Sequence, residues 1–255
     1  MARHELTDRH VVITGASSGI GAALAVELAR RGAKLGLIAR RGELLESVQR
    51  DVEAVGGRAA FAAADVTDIN QLTRAVTLLE KHLGPTYGMV ANAGLGRPTG
   101  KGLVKVPRDT QTLEVNVMGV VNAVAAVQPG MMERGEGFLS VVSSVAGTRG
   151  LPGSAAYCAS KAAVSTFFES LRVDLRGTGV SVIAIHPGFI RTPMTDTNKF
   201  PMPFLMDVEP AARIIARSLV RGQARLTFPW QMAIVARLMR WVPNFLWDRI
   251  GGARK

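Results

Sequence analysis

The chain has 255 residues, of which 47% are hydrophobic and 20% are charged. This balance excludes a disordered chain, and the length fits one large α/β domain or two small domains. The single cysteine, Cys158, excludes an internal disulfide framework and a cysteine-built zinc site. The four histidines lack the spacing of metal ligands, so no metal site is expected.

The formal net charge of +11 is unevenly distributed. Residues 1–210 carry 22 basic and 19 acidic side chains, whereas residues 211–255 carry 9 basic side chains against Asp248 alone. The first ten residues lack the apolar run of a signal peptide, and no uncharged apolar stretch reaches the length of a membrane span. We therefore expect a cytoplasmic protein, and the basic C-terminal segment leaves a peripheral membrane contact open.

Short apolar runs alternate along the chain with segments whose apolar residues recur at helical spacing. The predicted strands are Val11–Thr14, Lys34–Ala39, Ala59–Ala64, Gly88–Ala91, Phe138–Ser143, Val180–His186 and Arg225–Phe228. The predicted helices are Ala22–Arg31, Glu43–Val55, Asn70–Leu83, Thr110–Gln128 and Ala155–Arg176. Glycines stand where four of these helices should end, at Gly32, Gly56, Gly84 and Gly177. The alternation predicts a parallel sheet covered by helices on both faces.

The first predicted strand runs directly into the glycine-rich segment TGASSGIG, residues Thr14–Gly21. Glycines at this spacing permit a tight turn, close approach of backbone amides to a pyrophosphate, and close packing of helix on strand. The predicted dinucleotide contacts are Gly15, Ser17, Ser18, Gly19, Ile20 and Gly21. The same segment also matches Gly-x-Ser-x-Gly, the nucleophile elbow of serine hydrolases, with Ser17 as nucleophile and His186 as the late histidine.

The end of the second predicted strand indicates which dinucleotide is bound. An NAD-binding unit needs an acidic residue about 20 residues past the loop, to hold the ribose 2′-hydroxyl. Here the strand ends in Arg40 and Arg41, which can neutralise a 2′-phosphate, and NADP(H) is therefore predicted. Two surface arginines at a strand end are the alternative. Asp65, at the end of the third strand, is expected to meet the adenine or to cap a helix.

Tyr157 and Lys161 are four residues apart on a predicted helix and so share one face. A fixed ammonium beside a phenol is expected to lower the phenol's pKa from about 10. Tyr157 would then serve as general acid toward a carbonyl oxygen or as general base toward an alcohol. A solvated Tyr/Lys pair on a helix surface is the alternative.

Six motifs in register, from about residue 8 to residue 195, together resemble the short-chain dehydrogenase/reductase family. They are TGASSGIG, Asn92-Ala93-Gly94, Asn116, Ser143-Ser144, Tyr157-x-x-x-Lys161 and His186-Pro187-Gly188. The resemblance implies a Rossmann-type three-layer α/β fold with about seven strands ordered 3-2-1-4-5-6-7. It also implies a homodimer or homotetramer.

The resemblance also implies residue roles. Ser144, 13 residues before Tyr157, would hydrogen-bond the substrate oxygen, and Lys161 would also bind the nicotinamide ribose. Asn116 would hold a water molecule that links Lys161 to a proton relay. The other implied cofactor contacts are Asp65, Val66, Asn92, Ala93, Gly94, Pro187, Gly188, Ile190 and Thr192.

The segment Thr192–Glu209 is expected to cover the substrate. It is apolar and adaptable through Met194, Phe200, Met202, Phe204, Leu205 and Met206. We therefore predict an NADP(H)-dependent oxidoreductase that acts on a lipophilic carbonyl compound or secondary alcohol, such as a steroid, retinoid, fatty-acyl compound or xenobiotic. The alternatives are a 3-oxoacyl-[acyl-carrier-protein] reductase-like activity, the serine hydrolase, and a non-catalytic cofactor-binding scaffold.

Residues 1–229 are predicted to form the catalytic domain, and residues 230–255 a basic amphipathic extension. All three tryptophans lie in the extension, at Trp230, Trp241 and Trp247. The extension is expected to cover the substrate pocket or a subunit interface, to lie on an anionic membrane, or to bind an acidic protein such as an acyl carrier. Nucleic acid is not an expected partner, because the basic residues are few per helical turn.

Overall fold

The structure is a computed structural model and describes residues 3–97, 104–196, 198 and 200–252. Parts of three predicted segments lie outside the described residues. They are residues 1–2 and 98–103 of the catalytic domain, 197 and 199 of the substrate loop, and 253–255 of the extension.

Seven parallel strands form the central sheet, in the order β3-β2-β1-β4-β5-β6-β7. They are β1 (His10–Thr14), β2 (Lys34–Ala39), β3 (Arg58–Ala63), β4 (Thr86–Ala91), β5 (Gly137–Val142), β6 (Val180–Pro187) and β7 (Arg225–Phe228). Every residue of β1 and β5 is buried, as expected for parallel strands that are covered on both faces. The predicted Rossmann-type α/β fold is confirmed.

Nine helices are found in the described part of the chain. They are α1 (Gly19–Ala29), α2 (Gly42–Ala54), α3 (Ile69–Leu83), α4 (Val106–Leu113), α5 (Gly119–Arg134), α6 (Ala155–Asp174), α7 (Val208–Val220), α8 (Trp230–Trp241) and α9 (Asn244–Gly252). A π-helical turn, Glu114–Met118, joins α4 to α5, and a 3-10 turn, Val145–Gly147, follows β5.

The helices enclose the sheet from both sides and create two apolar layers. One layer packs α1, α2 and α7 against the sheet, with Leu28 and Ile215 fully buried. The other packs α3, α5 and α6 against the opposite face, with Leu79 and Phe168 at its centre. This is the three-layer arrangement of a doubly wound domain.

The four glycines predicted to follow helices have the backbone geometry expected there, although α1, α2 and α6 end one or two residues earlier than predicted. Gly32, Gly56, Gly84 and Gly177 have φ values of +82°, +80°, +90° and +87°. This left-handed conformation is costly for residues with a Cβ atom, so glycine is favoured where the chain leaves a helix.

The predicted helix Thr110–Gln128 differs most from the structure, which forms the longer run α4, π turn and α5 over Val106–Arg134. By length and composition alone this run could span a membrane. The most apolar part of this run is 44% buried inside the protein. A helix from the core of a protein can have the same length and composition. Val120, Val124 and Val127 are buried in the layer that covers β4 and β5.

The strand order places a crevice at the carboxyl ends of the central strands. β1 is flanked by β2 on one side and by β4 on the other, so the chain connections leave in opposite directions at this point. Ligands of open α/β sheets bind in the crevice formed there.

Candidate active site

The loop after β1 is shaped by glycines and held by Asn92. Gly15 has a φ of +66°, and a Cβ atom on it would lie 2.7 Å from the Cα atom of Ala93. The Asn92 Nδ2 atom donates to the carbonyl oxygens of Thr14 (3.0 Å) and Gly15 (3.2 Å). These contacts tie the end of β4 to the loop, and α1 begins directly after it. The amino terminus of α1 therefore faces the crevice, where it can attract an anion.

One cleft of about 300 Å³ collects the predicted cofactor residues. Gly21 is the exception and packs beneath the loop, where a Cβ atom would collide with the carbonyl oxygen of Gly15. The residues that line the cleft as predicted are Gly15, Ser17, Ser18, Gly19, Ile20, Arg40, Arg41, Asp65, Val66, Asn92, Ala93, Gly94, Tyr157, Lys161, Pro187, Gly188, Ile190 and Thr192.

Three of the apolar cleft residues that sequence reasoning missed are Leu95, Val115 and Val142. Each stands beside a motif residue in the chain, and this adjacency was the available signal. A Cβ atom on Gly94 would lie 3.3 Å from the Asn116 Oδ1 atom, which is a tight contact, and 3.5 Å from the Lys161 Nζ atom, which is an ordinary one.

Two arginines and a serine surround the outer end of the cleft. The Arg41 guanidinium donates to the Ser17 hydroxyl over 3.4 Å, and both Arg40 and Arg41 are exposed. An Arg40 nitrogen lies 3.8 Å from a carboxylate oxygen of Asp65. The other Asp65 oxygen accepts from the backbone and the hydroxyl of Thr67, so this side chain caps a turn. The helix cap of α3 is Asp68 rather than Asp65.

Tyr157 and Lys161 lie on the first two turns of α6, and Ser144, two residues past the end of β5, lines the same cleft. The Lys161 Nζ atom donates to the carbonyl oxygen of Val142 (2.8 Å) and lies 5.8 Å from the centre of the Tyr157 ring. Burial lowers the pKa of Lys161 from its usual value to about 8.

The expected lowering of the Tyr157 pKa is wrong for this geometry. Burial raises the pKa of the phenol, and a hydrogen bond with Ser144 acts in the opposite direction without reversing it. The cause is desolvation, which disfavours the phenolate, while the Lys161 ammonium is directed at a backbone carbonyl. Tyr157 is therefore a protonated phenol at neutral pH, and it can donate that proton to an oxygen atom.

Asn116 lies below the cleft rather than in its lining. Its side chain is fully buried in the π-helical turn, where Oδ1 accepts from the backbone N–H of Leu95 (2.7 Å). Its Nδ2 atom donates to the Leu95 carbonyl oxygen and to the Ser160 hydroxyl, which in turn donates to the carbonyl oxygen of Tyr157. The side chain thus braces the helix that carries Tyr157. Its predicted role in holding a water molecule stays a prediction.

A second buried network supports the other side of α6. The hydroxyls of Ser143 and Ser165 both donate to the carbonyl oxygen of Lys161, and they lie 2.8 Å from each other. The His186 Nε2 atom lies 3.1 Å from the Ser165 hydroxyl oxygen, and burial lowers the pKa of His186 to about 4. His186 is therefore neutral at physiological pH.

These contacts give the serine hydrolase alternative no support. Ser17 is hydrogen-bonded to Arg41, whereas His186 contacts Ser165. A nucleophile elbow needs its serine within hydrogen-bond reach of the histidine base.

A second cavity of about 360 Å³ adjoins the cleft at Ser144 and Tyr157. Its walls come from the segment after β5, from the loop after β6, and from α8. The wall is mainly apolar and includes Val145, Leu151, Pro152, Phe189, Met194, Phe200, Pro201, Met232, Val235, Ala236 and Met239. A small number of polar groups accompany them, at Arg97, Ser154, Thr195 and Asn198.

The predicted substrate loop contributes to this cavity in part. Of its six apolar residues, Met194 and Phe200 line the cavity, whereas Met202, Phe204, Leu205 and Met206 do not. The backbone of Met206 pairs instead with Ile190, and α7 begins at Val208. The extension also contributes to the wall, through α8.

A parallel sheet with a glycine-rich crevice, joined to an apolar cavity at a tyrosine and a serine, defines a dinucleotide-binding α/β oxidoreductase. The family model described as short chain dehydrogenase matches residues 9–201. The chain belongs to this family.

Individual proteins support the same assignment. An uncharacterized oxidoreductase of Myxococcus xanthus is 43% identical over 244 residues, which cover 96% of each chain. Levodione reductase superposes with a TM-score of 0.82 at 27% identity, over 89% of this chain and 99% of its own. A short chain dehydrogenase from Mycobacterium paratuberculosis bound to NAD gives a TM-score of 0.79 at 26% identity, over 88% and 97%. Enzymes of this family use nicotinamide cofactors, and the cleft has the glycine cradle that such a group requires.

Proposed function

We propose that this protein is an NADP(H)-dependent oxidoreductase that interconverts a lipophilic carbonyl compound and the corresponding secondary alcohol. The observation that carries the proposal is the position of Tyr157 and Ser144, which both line the dinucleotide cleft and the apolar cavity. A substrate carbonyl in the cavity can therefore reach both hydroxyl groups, and it then lies next to the cleft that holds the cofactor.

The chemistry proposed for the chain's own residues is proton transfer and charge stabilisation. Bound nicotinamide supplies or accepts the hydride. Tyr157 keeps its proton at neutral pH, because burial raises its pKa, and donates it to the substrate oxygen during reduction. Ser144 positions that oxygen and stabilises the charge that develops on it. Lys161, whose ammonium is directed at the Val142 carbonyl oxygen, is proposed to bind the nicotinamide ribose, and it is charged below about pH 8.

The preference for NADP(H) is proposed from the outer end of the cleft. Arg40, Arg41 and Ser17 offer two guanidinium groups and a hydroxyl where a 2′-phosphate would lie. Asp65 is the carboxylate nearest to this position that lines the cleft, and its oxygens are engaged by Thr67 and by Arg40. A ribose 2′-hydroxyl would need a free carboxylate there.

The lipophilic substrate class is proposed from the cavity wall. Methionine, phenylalanine, proline, valine, leucine and alanine side chains form most of it. Such a wall adapts to apolar ligands, while Ser144 and Tyr157 orient one oxygen. The name of levodione reductase, a structural neighbour, accords with carbonyl reduction.

The test is cofactor binding followed by a panel of ketones of increasing size and apolarity. We expect NADPH to bind more tightly than NADH, and large apolar ketones to give the highest kcat/KM. Ala236→Phe, which projects into the cavity, should raise KM for the largest ketones and leave NADPH affinity unchanged. Ala233→Phe on the same helix is the matched control, because Ala233 does not line the cavity. Tighter binding of NADH, or the absence of turnover across the panel, would contradict the proposal.

A further inference from the structure

The outer face of α8 carries a continuous apolar stripe. At about 100° per residue, Trp230, Ile234, Leu238 and Trp241 fall within an arc of roughly 80° on the helix. Their exposed fractions are 67%, 50%, 62% and 81%. Phe245 of the following helix, α9, is also 71% exposed. An exposed apolar patch of this kind marks a surface that contacts another molecule.

The opposite face of the same helix belongs to the substrate cavity. Met232 and Ala236 are buried and line the cavity, as does Met239. Val235 lies between the two faces, because it lines the cavity and is also exposed. The helix α8 therefore stands between the cavity and the exposed stripe.

The arginines beside the stripe favour an anionic binding partner. Arg237 and Arg240 lie along one flank of it and are exposed, and Arg249 follows on α9. Asp248 is the single acidic residue from 211 to the end of the sequence. In a two-fold contact a second copy would offer the same arginine-rich surface, in which Asp248 is the one acidic side chain, so the arginines would lack acidic partners. Aromatic anchors flanked by arginines suit the surface of an anionic bilayer.

The catalytic region holds this surface in place before any partner arrives. The Arg149 guanidinium, in the segment between Ser144 and α6, donates to the carbonyl oxygens of Met239 and Val242 at the end of α8. It also lies over the ring of Trp247 at 4.6 Å, and the Trp247 Nε1 atom donates to the carbonyl oxygen of Gly150 (3.0 Å). A surface ordered in advance binds without the entropy cost of folding a disordered segment.

We propose that the outer face of α8 and α9 binds the surface of an anionic lipid bilayer, and that lipophilic substrate passes from this surface to the cavity beside Val235. The membrane contact is independent of the proposed reaction, and only the passage of substrate rests on it. The helix would lie in the plane of the interface, with Trp230, Leu238 and Trp241 inserted and the arginines at the headgroups.

The test is flotation of the full chain with vesicles of phosphatidylcholine alone and with vesicles that also contain phosphatidylglycerol. We expect binding to the anionic vesicles and little binding to the neutral ones. Leu238→Ser combined with Trp241→Ser should lower the partition coefficient at least tenfold. Arg237→Gln and Arg240→Gln should each lower it about fivefold, an effect that added salt also produces. Leu78→Ser on α3 is the matched control, since Leu78 is 46% exposed and lies outside the stripe.

Two results would overturn the proposal. One is the absence of binding to anionic vesicles, or binding that the Leu238/Trp241 double variant retains. The other is a wild-type protein that forms an oligomer in solution and does not bind vesicles, combined with a double variant that does not form the oligomer. A second copy of the chain would then cover the stripe. Flotation needs neither cofactor nor substrate, so its failure leaves the proposed reductase activity standing. The passage of substrate is tested by the KM of the double variant for two ketones. Its KM should be raised for a ketone dissolved in vesicles and unchanged for a water-soluble ketone.

Discussion

Replacing Arg41 by alanine should weaken NADPH binding far more than NADH binding. The guanidinium lies at the outer end of the cleft, 3.4 Å from the Ser17 hydroxyl. A hydrogen bond to a charged group contributes about 1.5–3 kcal/mol, and exposure to solvent places Arg41 near the lower limit. We therefore expect the Kd for NADPH to rise about tenfold, which corresponds to about 1.4 kcal/mol.

Arg40→Ala should have a smaller effect, about threefold, because Asp65 already neutralises part of the Arg40 charge at 3.8 Å. The assay is calorimetric titration of each variant with NADPH and NADH at two salt concentrations. Arg50→Ala is the matched control, since Arg50 is an exposed arginine of α2 that does not line the cleft. An equal loss of NADPH and NADH affinity in Arg41→Ala would refute the reasoning, as would loss of affinity in the control.

Three further predictions concern the loop, the lysine and the buried histidine. Gly15→Ala should lower the free energy of unfolding in urea by about 3 kcal/mol, because of left-handed backbone strain and the contact of the new Cβ atom with Ala93 at 2.7 Å. Gly42→Ala is the control, since its Cβ atom meets no neighbour, and it should lower the free energy of unfolding by less than about 1 kcal/mol. Because the pKa of Lys161 is about 8, kcat/KM for reduction should decline as pH rises through about 8. Lys161→Met should remove this pH dependence along with most of the activity. The pKa of His186, about 4, lies below its unfolded value, so the unfolded chain binds more protons between the two values. Stability should fall by up to about 3 kcal/mol as pH decreases from about 6.5 toward 4, and His186→Gln should flatten this part of a stability profile measured by urea unfolding.

Most of the sheet was predictable because buried parallel strands are continuous apolar runs. β2 and β7 have the predicted bounds, and the other strands differ by one or two residues at their ends. β4 begins earlier than predicted, because Thr86 is a polar residue that is fully buried. The periodicity of apolar residues cannot indicate that a polar residue at a strand end is buried.

Two helical features were not predicted. The π-helical turn around Asn116 depends on hydrogen bonds to Leu95 and Ser160, which are distant in sequence, so spacing alone indicated one uninterrupted helix. The helix α7 was missed, although Ala211, Ile215 and Leu219 recur every four residues and are fully buried. That spacing was an available signal.

The site residues were predictable from motif order, whereas their electrostatics were not. Spacing placed Tyr157 and Lys161 on one face of a helix, and both line the cleft. The raised pKa of Tyr157 depends on desolvation and on the direction of the Lys161 side chain, and both are properties of the folded protein. The contacts of Arg149 with the extension join residues about 90 positions apart, which no local pattern indicates.

In the proposed NADP(H)-dependent carbonyl reduction, Tyr157 transfers the proton. The most direct measurement is the single-turnover oxidation of bound NADPH by a ketone in wild type, Tyr157→Phe and Tyr87→Phe. Tyr87 is the other tyrosine of the chain and bonds His4 outside the cleft, so its variant controls for loss of a phenol. We expect the rate to be lower by about 100-fold or more in Tyr157→Phe, with NADPH affinity and the Tyr87→Phe rate unchanged. A Tyr157→Phe enzyme that retains the wild-type rate would contradict this role of Tyr157.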